Sequence, residues 1–212
     1  IGGRGPGETK LEINRRRARD KISRLERQIN KISKQRHLRR EKRQQSQLPV
    51  VSIVGYTNAG KSTLLNILTT SKVEVKDQLF ATLDPSSRRL RFPREKEVII
   101  TDTVGFIRDL PEDLLKAFHA TLEELESADI LLHVADVSDE NIDEKIEAVR
   151  KLLGELNLDK IPEVVVLNKC DMSEQILISS LKVQYSAVTI SALERQGLDL
   201  LLNKIGDMLD FN

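Results

Sequence analysis

Val50-Val51-Ser52-Ile53-Val54-Gly55-Tyr56-Thr57-Asn58-Ala59-Gly60-Lys61-Ser62 joins an apolar run to a glycine-bounded loop that closes on a lysine and a hydroxyl. The loop fits G-x-x-x-x-G-K-[ST], and Leu64, Leu65, Ile67 and Leu68 continue it at helical spacing. Strand, loop and helix in that order make a cradle for a polyphosphate. Backbone N–H groups of the loop and the helix N-terminus face the anion, Lys61 reaches the β and γ phosphates, and Ser62 offers a hydroxyl to Mg²⁺. Gly55 and Gly60 let backbone approach phosphate without a Cβ. Asn58, Ala59 and Thr63 complete the phosphate-binding set.

Two further apolar runs end on residues that agree with the first. Val98, Ile99 and Ile100 lead to Asp102-Thr103-Val104-Gly105. Asp102 at a strand's carboxyl end is placed to hold Mg²⁺ through water, and Gly105 to offer its N–H to the γ-phosphate. Val164 to Leu167 lead to Asn168-Lys169-Cys170-Asp171, where the Asp171 carboxylate accepts from guanine N1–H and its exocyclic amine. Adenine lacks that donor pair, and a carboxylate left unpaired costs about 1–3 kcal/mol. GTP is therefore expected over ATP. Ser191-Ala192-Leu193, after Val188 and Ile190, is similar to the element whose backbone N–H meets guanine O6. Thr82, in Phe80-Ala81-Thr82-Leu83-Asp84-Pro85, stands where a switch threonine closes onto Mg²⁺ and the γ-phosphate; the alternatives are an ordinary loop threonine, or Thr101 or Thr103 in that role. The expected Mg²⁺ set is Ser62, Thr82 and Asp102.

Composition sets outer bounds. The 212 residues suffice for one ordinary domain plus an extra segment, and aromatics make up 3% with no tryptophan, so the core is expected to be Leu, Ile and Val. No apolar run approaches the roughly 18 residues of a membrane span. The chain opens on Ile1 without an apolar signal segment, which predicts a fragment of a longer cytoplasmic protein. Cys170, the single cysteine, excludes an internal disulfide and reads as a neutral filler of the base-reading element.

The net charge of +1 conceals two opposed blocks. From Arg4 to Arg43 there are 16 Lys or Arg against 5 Asp or Glu, whereas the rest of the chain carries 18 against 28. A basic arm (1–47) is thus expected to precede an acidic domain (48–212), with the polar stretch Gln44 to Pro49 between them. Leu11, Ala18, Ile22, Leu25, Ile29 and Ile32 follow spacings of 7, 4, 3, 4 and 3, a heptad seam on one helix on the order of 50 Å long. So narrow a stripe calls for a companion helix. The charges read either as a solvated coiled-coil face or as a grip on phosphate backbone; without aromatics in the arm, structured RNA read by charge and shape is the natural form. Gly2-Gly3-Arg4-Gly5-Pro6-Gly7-Glu8 reads as a flexible tip.

The chain resembles the HflX-type ribosome-associated GTPases. The resemblance is carried by Gly3 to Glu12, Val54 to Thr63, Gln78-Leu79-Phe80-Ala81-Thr82-Leu83-Asp84, and Thr101-Asp102-Thr103-Val104-Gly105-Phe106-Ile107-Arg108-Asp109-Leu110-Pro111. It implies a GTPase that binds the large ribosomal subunit and splits or rescues stalled ribosomes. It also implies a companion helix and an α/β segment ahead of the glycine-rich loop, and in many members a C-terminal domain. Many GTPases place glutamine after the Asp-x-x-Gly element to orient the attacking water; Phe106 cannot do so, which predicts slow intrinsic hydrolysis and leaves the catalytic group unknown. In cation-dependent relatives an asparagine at the position of Asn58 helps hold K⁺, so K⁺ stimulation is expected unless Asn58 only bonds the loop.

Periodicity predicts strands near 50–54, 88–92, 97–102, 129–136, 163–168 and 185–190, and helices near 61–70, 112–127, 140–157, 173–181 and 194–209. The alternation predicts a doubly wound, mostly parallel P-loop sheet with nucleotide at the strands' carboxyl ends. The span 72–88 is expected to be the first switch, and His133 a core residue. Three functions are compatible with these residues: a GTP-hydrolysing switch, a coiled-coil RNA-binding module whose orientation nucleotide only tunes, and a P-loop kinase or ATPase, against which Asp171 argues.

Overall fold

Six strands lie in the order β2-β3-β1-β4-β5-β6 in the computed structural model. The structure describes residues 48–69, 86–92, 96–102 and 125–211, together with Asn14, Arg16, Arg17, Arg19, Lys21, Ser23 and Arg24. Contacts cluster into two units, Ile1–Gln47 and Leu48–Asn212. In the first unit those seven residues are helical and exposed; every position of the expected heptad seam lies outside the described residues.

The second unit runs β1 (Val50–Val54), α1 (Lys61–Thr69), β2 (Ser86–Arg91), β3 (Glu97–Asp102), β4 (Ile130–Asp136), α2 (Ile142–Glu155), β5 (Glu163–Asn168), α3 (Gln175–Gln184), β6 (Val188–Thr189) and α4 (Leu198–Met208). Only the β2–β3 pair is antiparallel among the described strands. This is the mostly parallel sheet that the alternation predicts.

Strand β4 shows why these runs are almost wholly apolar. Ile130, Leu132 and Val134 join one core with Leu64, Leu65, Leu201 and Ile205, whereas Leu131 packs with Val149 and Leu153, and Ala135 with Ile146 and Ile178. Helices thus cover both faces, so strict alternation with polar residues has no place in the central strands.

The helix ends differ from the periodicity reading by a few residues. Helices α2, α3 and α4 each close with a left-handed residue, Asn157, Ser186 and Asp210. The next N–H reaches back across the turn in every case: Leu158 to Leu153 O (2.8 Å), Ala187 to Lys182 O (3.0 Å) and Phe211 to Gly206 O (2.9 Å). These are Schellman closures made without glycine. Because Tyr185 and Ser186 belong to such a closure, α3 extends to Gln184 and the strand expected over 185–190 shrinks to Val188–Thr189. Of the helix expected over 112–127, the described residues hold only a 3-10 turn, Leu125–Ser127; the rest lies outside them.

His133 is a core histidine. It is 1% exposed, and its Nδ1 donates to Glu163 Oε1 at 2.6 Å while Arg150 brings Nη2 and Nε to Glu163 Oε2 at 2.8 and 3.1 Å. Burial alone raises the Glu163 pKa, but the bonds from His133 and Arg150 outweigh it and hold the carboxyl at about 2. A lowered folded-state pKa stabilises the fold above the ordinary carboxylate range, and that contribution disappears as pH falls from about 4.5 through about 2. The melting temperature is therefore expected to fall more steeply over that window in the wild type than in Glu163→Gln, as thermal scans at stepped pH would show.

Candidate nucleotide site

The site is built at the carboxyl ends of β1, β3, β4 and β5. After Val54 the chain enters a loop whose first residue, Gly55, has φ of 144° and passes so near β4 that a Cβ there lies 2.2 Å from Val134 O. Gly60 has φ of 91°, and its Cβ would lie 2.2 Å from Asn168 Nδ2. Side chains are excluded at both positions by backbone angle and by space. Between them Asn58 is exposed with φ of 62°, and Ala59 is buried.

Lys61, the first residue of α1, is 6% exposed and donates from Nζ to Tyr56 O at 2.7 Å. Burial lowers its pKa to about 8, with Asp102 opposing the shift. Ser62 Oγ donates to Asp102 Oδ2 at 2.7 Å, and Thr63 is half-buried in the same turn. Asp102 ends β3 in register with Ile53 of β1 and is fully buried. A hydroxyl and a carboxylate at a helix N-terminus are hard oxygen donors of the kind Mg²⁺ prefers, so the residues present fit that ion. Thr101, one candidate for the switch threonine, is buried and shares a 2.8 Å hydrogen bond with Ser52 Oγ. Thr82, Thr103, Gly105 and Phe106 lie outside the described residues.

Asn168 joins two loops. Its Nδ2 donates to Ala59 O at 2.9 Å, and its Oδ1 accepts from Ala192 N at 3.0 Å, both buried. Lys169 follows with φ of 65° and pairs through Nζ with Asp136 Oδ2 at 2.7 Å. Asp171 stands exposed in the 3-10 turn Cys170–Met172, with no hydrogen bond or ion pair among the described residues. The Cys170 thiol is pushed up by burial and by Asp171 beside it, consistent with a neutral filler. Ser191 is buried and accepts at Oγ from Glu194 N at 3.1 Å; paired N–H to O bonds with Gln196 (3.1 and 3.0 Å) close the loop after it. That loop is why α4 begins at Leu198 rather than near 194.

Sequence reasoning missed the residues beside this site. A cavity of about 300 Å³ lies between the loop residues Tyr56 to Ala59, the end of β4 and the start of α2, with Asp136, Asp139 and Lys145 on its wall. Lys145 pairs with Asp139 and sits 4.9 Å from the centre of the Tyr56 ring. The available signal was Asp136-Val137-Ser138-Asp139 directly after an apolar strand, acids at a strand's carboxyl end in a fold that binds ligands there.

A family model described as "50S ribosome-binding GTPase" matches residues 50–169, and one described as "GTP-binding GTPase Middle Region" matches residues 1–43. GTPase HflX of Caldanaerobacter subterraneus is 52% identical over 205 residues, covering 97% of this chain and 47% of its own length. The chain belongs to the HflX-type GTPases. GTPase HflX of Escherichia coli is 50% identical over 174 residues, which is 82% of this chain and 41% of that protein. The chain spans about half the length of the HflX relatives it matches. Among solved structures, a GTP-binding protein from Sulfolobus solfataricus in complex with GDP is 30% identical with a TM-score of 0.65, covering 94% of this chain and 62% of that one. An Aquifex aeolicus Era variant bound to GDP and AlF4⁻ gives 29% identity and a TM-score of 0.60, over 74% of this chain and 56% of its own.

Proposed function

We propose that residues 48–212 form a G domain that binds GTP or GDP with Mg²⁺, hydrolyses GTP slowly on its own, and works with the basic arm of residues 1–47 at the large ribosomal subunit in the cytoplasm. The observation that carries this is Asn168, which ties the Ala59 carbonyl to the Ala192 N–H, with the Asp171 carboxylate exposed three residues further along the chain. Phosphate loop and base-reading loops are thereby set at a fixed separation.

On this reading Gly55, Asn58, Ala59 and Gly60 lend backbone to the phosphates, Lys61 supplies the ammonium, and Thr63 completes the first helical turn. Ser62, Asp102 and Thr82 hold Mg²⁺, which when bound neutralises charge that develops on the phosphates. Gly105 meets the γ-phosphate. Asp171 accepts from guanine, Lys169 flanks the base, and Ser191 and Ala192 shape the loop at its O6. With Phe106 in place of glutamine, the missing function falls to the ribosome, to a switch residue, or to K⁺ held near Asn58 in the place of an arginine finger. No helix among the described residues is long and apolar enough to cross a membrane.

Two measurements test the proposal. Asp171→Asn should lower GTP affinity at least about tenfold and favour a xanthine nucleotide, whose base offers an acceptor in place of the exocyclic amine. Equilibrium titration with the two nucleotides reads this, and an unchanged guanine preference refutes the base-reading assignment. GTP turnover with and without purified large subunits, in K⁺ and in Na⁺, tests the rest: stimulation by subunits is expected, and equal rates in the two salts remove the K⁺ assignment.

A further inference from the structure

We infer that Asp136 acts through Lys169: it positions that lysine for guanine recognition and keeps the Asp171 carboxylate out of an ion pair with it. The inference rests on the guanine reading of the site. It starts from strand register: Asp136 at the end of β4 lies opposite Asn168 at the end of β5, and Val137 N donates to Asn168 O at 3.0 Å. The left-handed turn at Lys169 (φ 65°) is compatible with its side chain returning to β4, where Nζ meets Asp136 Oδ2 at 2.7 Å. The other carboxylate oxygen is committed to its own turn. Asp136 Oδ1 accepts from Ser138 N at 3.0 Å and from Ser138 Oγ at 2.6 Å. Each oxygen therefore has a separate task, and the carboxylate cannot swing away without breaking the Ser138 contacts.

The competitor sits two residues along the chain. Asp171 is exposed within the turn that Met172 N closes onto Lys169 O at 2.9 Å, so a lysine released from Asp136 has a second carboxylate in its own turn. A Lys169–Asp171 pair would occupy the oxygens that guanine N1–H and its amine need, and would withdraw the lysine stem from the base. A partly exposed ion pair contributes little to stability by itself. If Asp136 did nothing more, its loss would scarcely register and would not depend on the base.

The test compares wild type, Asp136→Asn, Lys169→Met and the double variant in GDP affinity, GTP turnover and melting temperature. Asparagine retains an acceptor for Ser138 but offers the ammonium no charge. Asp136→Asn is expected to weaken GDP binding about tenfold and raise KM for GTP similarly, with kcat at saturation and the nucleotide-free melting temperature unchanged. In the Lys169→Met background the same substitution should change GDP affinity by less than about twofold, because the residue it acts through is gone. GDP affinity unchanged in the single variant, or an equal loss in both backgrounds, overturns the inference. Should Asp136→Asn lower the melting temperature, the comparison within the Lys169→Met background still decides. Failure of the guanine reading itself is read separately: wild type would then bind ADP as tightly as GDP.

Discussion

Lys61→Met is expected to raise the melting temperature of the nucleotide-free chain at pH 7 by several degrees and to lower GTP affinity by at least about 100-fold. The two effects share one cause. Lys61 is buried beneath its own loop, and burial, only partly opposed by Asp102, lowers its pKa from 10.5 to about 8. A shift of that size corresponds to about 3 kcal/mol by which the folded chain disfavours the charged form relative to the unfolded one. Methionine has nearly the same volume and no charge to desolvate, so most of that penalty disappears, less the bond to Tyr56 O. The sign follows from proton counts. Between about pH 8 and 10.5 the unfolded chain binds more protons at this site than the folded one, so wild-type stability rises with pH there. The advantage of Lys61→Met is full below pH 8 and shrinks above it. Bound polyphosphate favours the ammonium again, so GTP binding near pH 8 should draw in part of a proton in the wild type and none in the variant. Calorimetric titration in buffers of different ionisation enthalpy measures that uptake, and equal uptake in both proteins sinks the argument.

Asn168→Ala is expected to destabilise the chain by about 2–4 kcal/mol and to weaken every guanine nucleotide together. Its amide links the phosphate loop to the loop carrying Ala192. Removing it strands Ala59 O and Ala192 N, two buried groups that each cost about 1–3 kcal/mol when unsatisfied. Asn168→Asp is expected to be at least as harmful. It keeps an acceptor for Ala192 N but turns a second oxygen toward Ala59 O in a site where the residue is 2% exposed. Chemical denaturation gives the stability of each variant, and titration with GDP gives the affinity. A variant that melts like the wild type would mean that the two loops are held apart by something other than this amide.

Much of this was legible before any fold was known. Strands β1, β3 and β5 stand where their apolar runs put them, because a parallel strand covered on both faces needs no polar residue and the run is its own boundary marker. The phosphate loop was legible because its glycines are demanded by backbone angle and contact, which no other residue satisfies. Helix ends were less so. Asn157, Ser186 and Asp210 stop helices in a left-handed conformation, and in each case the following N–H finds a carbonyl behind it. Residues 194–197 fall within the helix expected over 194–209 yet belong to the loop beside the base site, since Ser191 and Gln196 pair across it.

By itself the sequence determined the class of sheet, the position of the phosphate loop and the residue types offered to base, phosphate and metal. Those are local matters of spacing, apolar periodicity and side-chain chemistry. Only the tertiary structure decided which of those side chains meet. Asn168 bridges residues 109 and 24 positions away, Ser62 reaches Asp102 across 40, and Lys169 pairs with Asp136 rather than with the aspartate two residues along. No spacing rule encodes such pairs. They arise because the register of β4 with β5 and of β1 with β3 brings strand ends together, and because burial then makes each polar group's choice of partner a matter of kcal/mol.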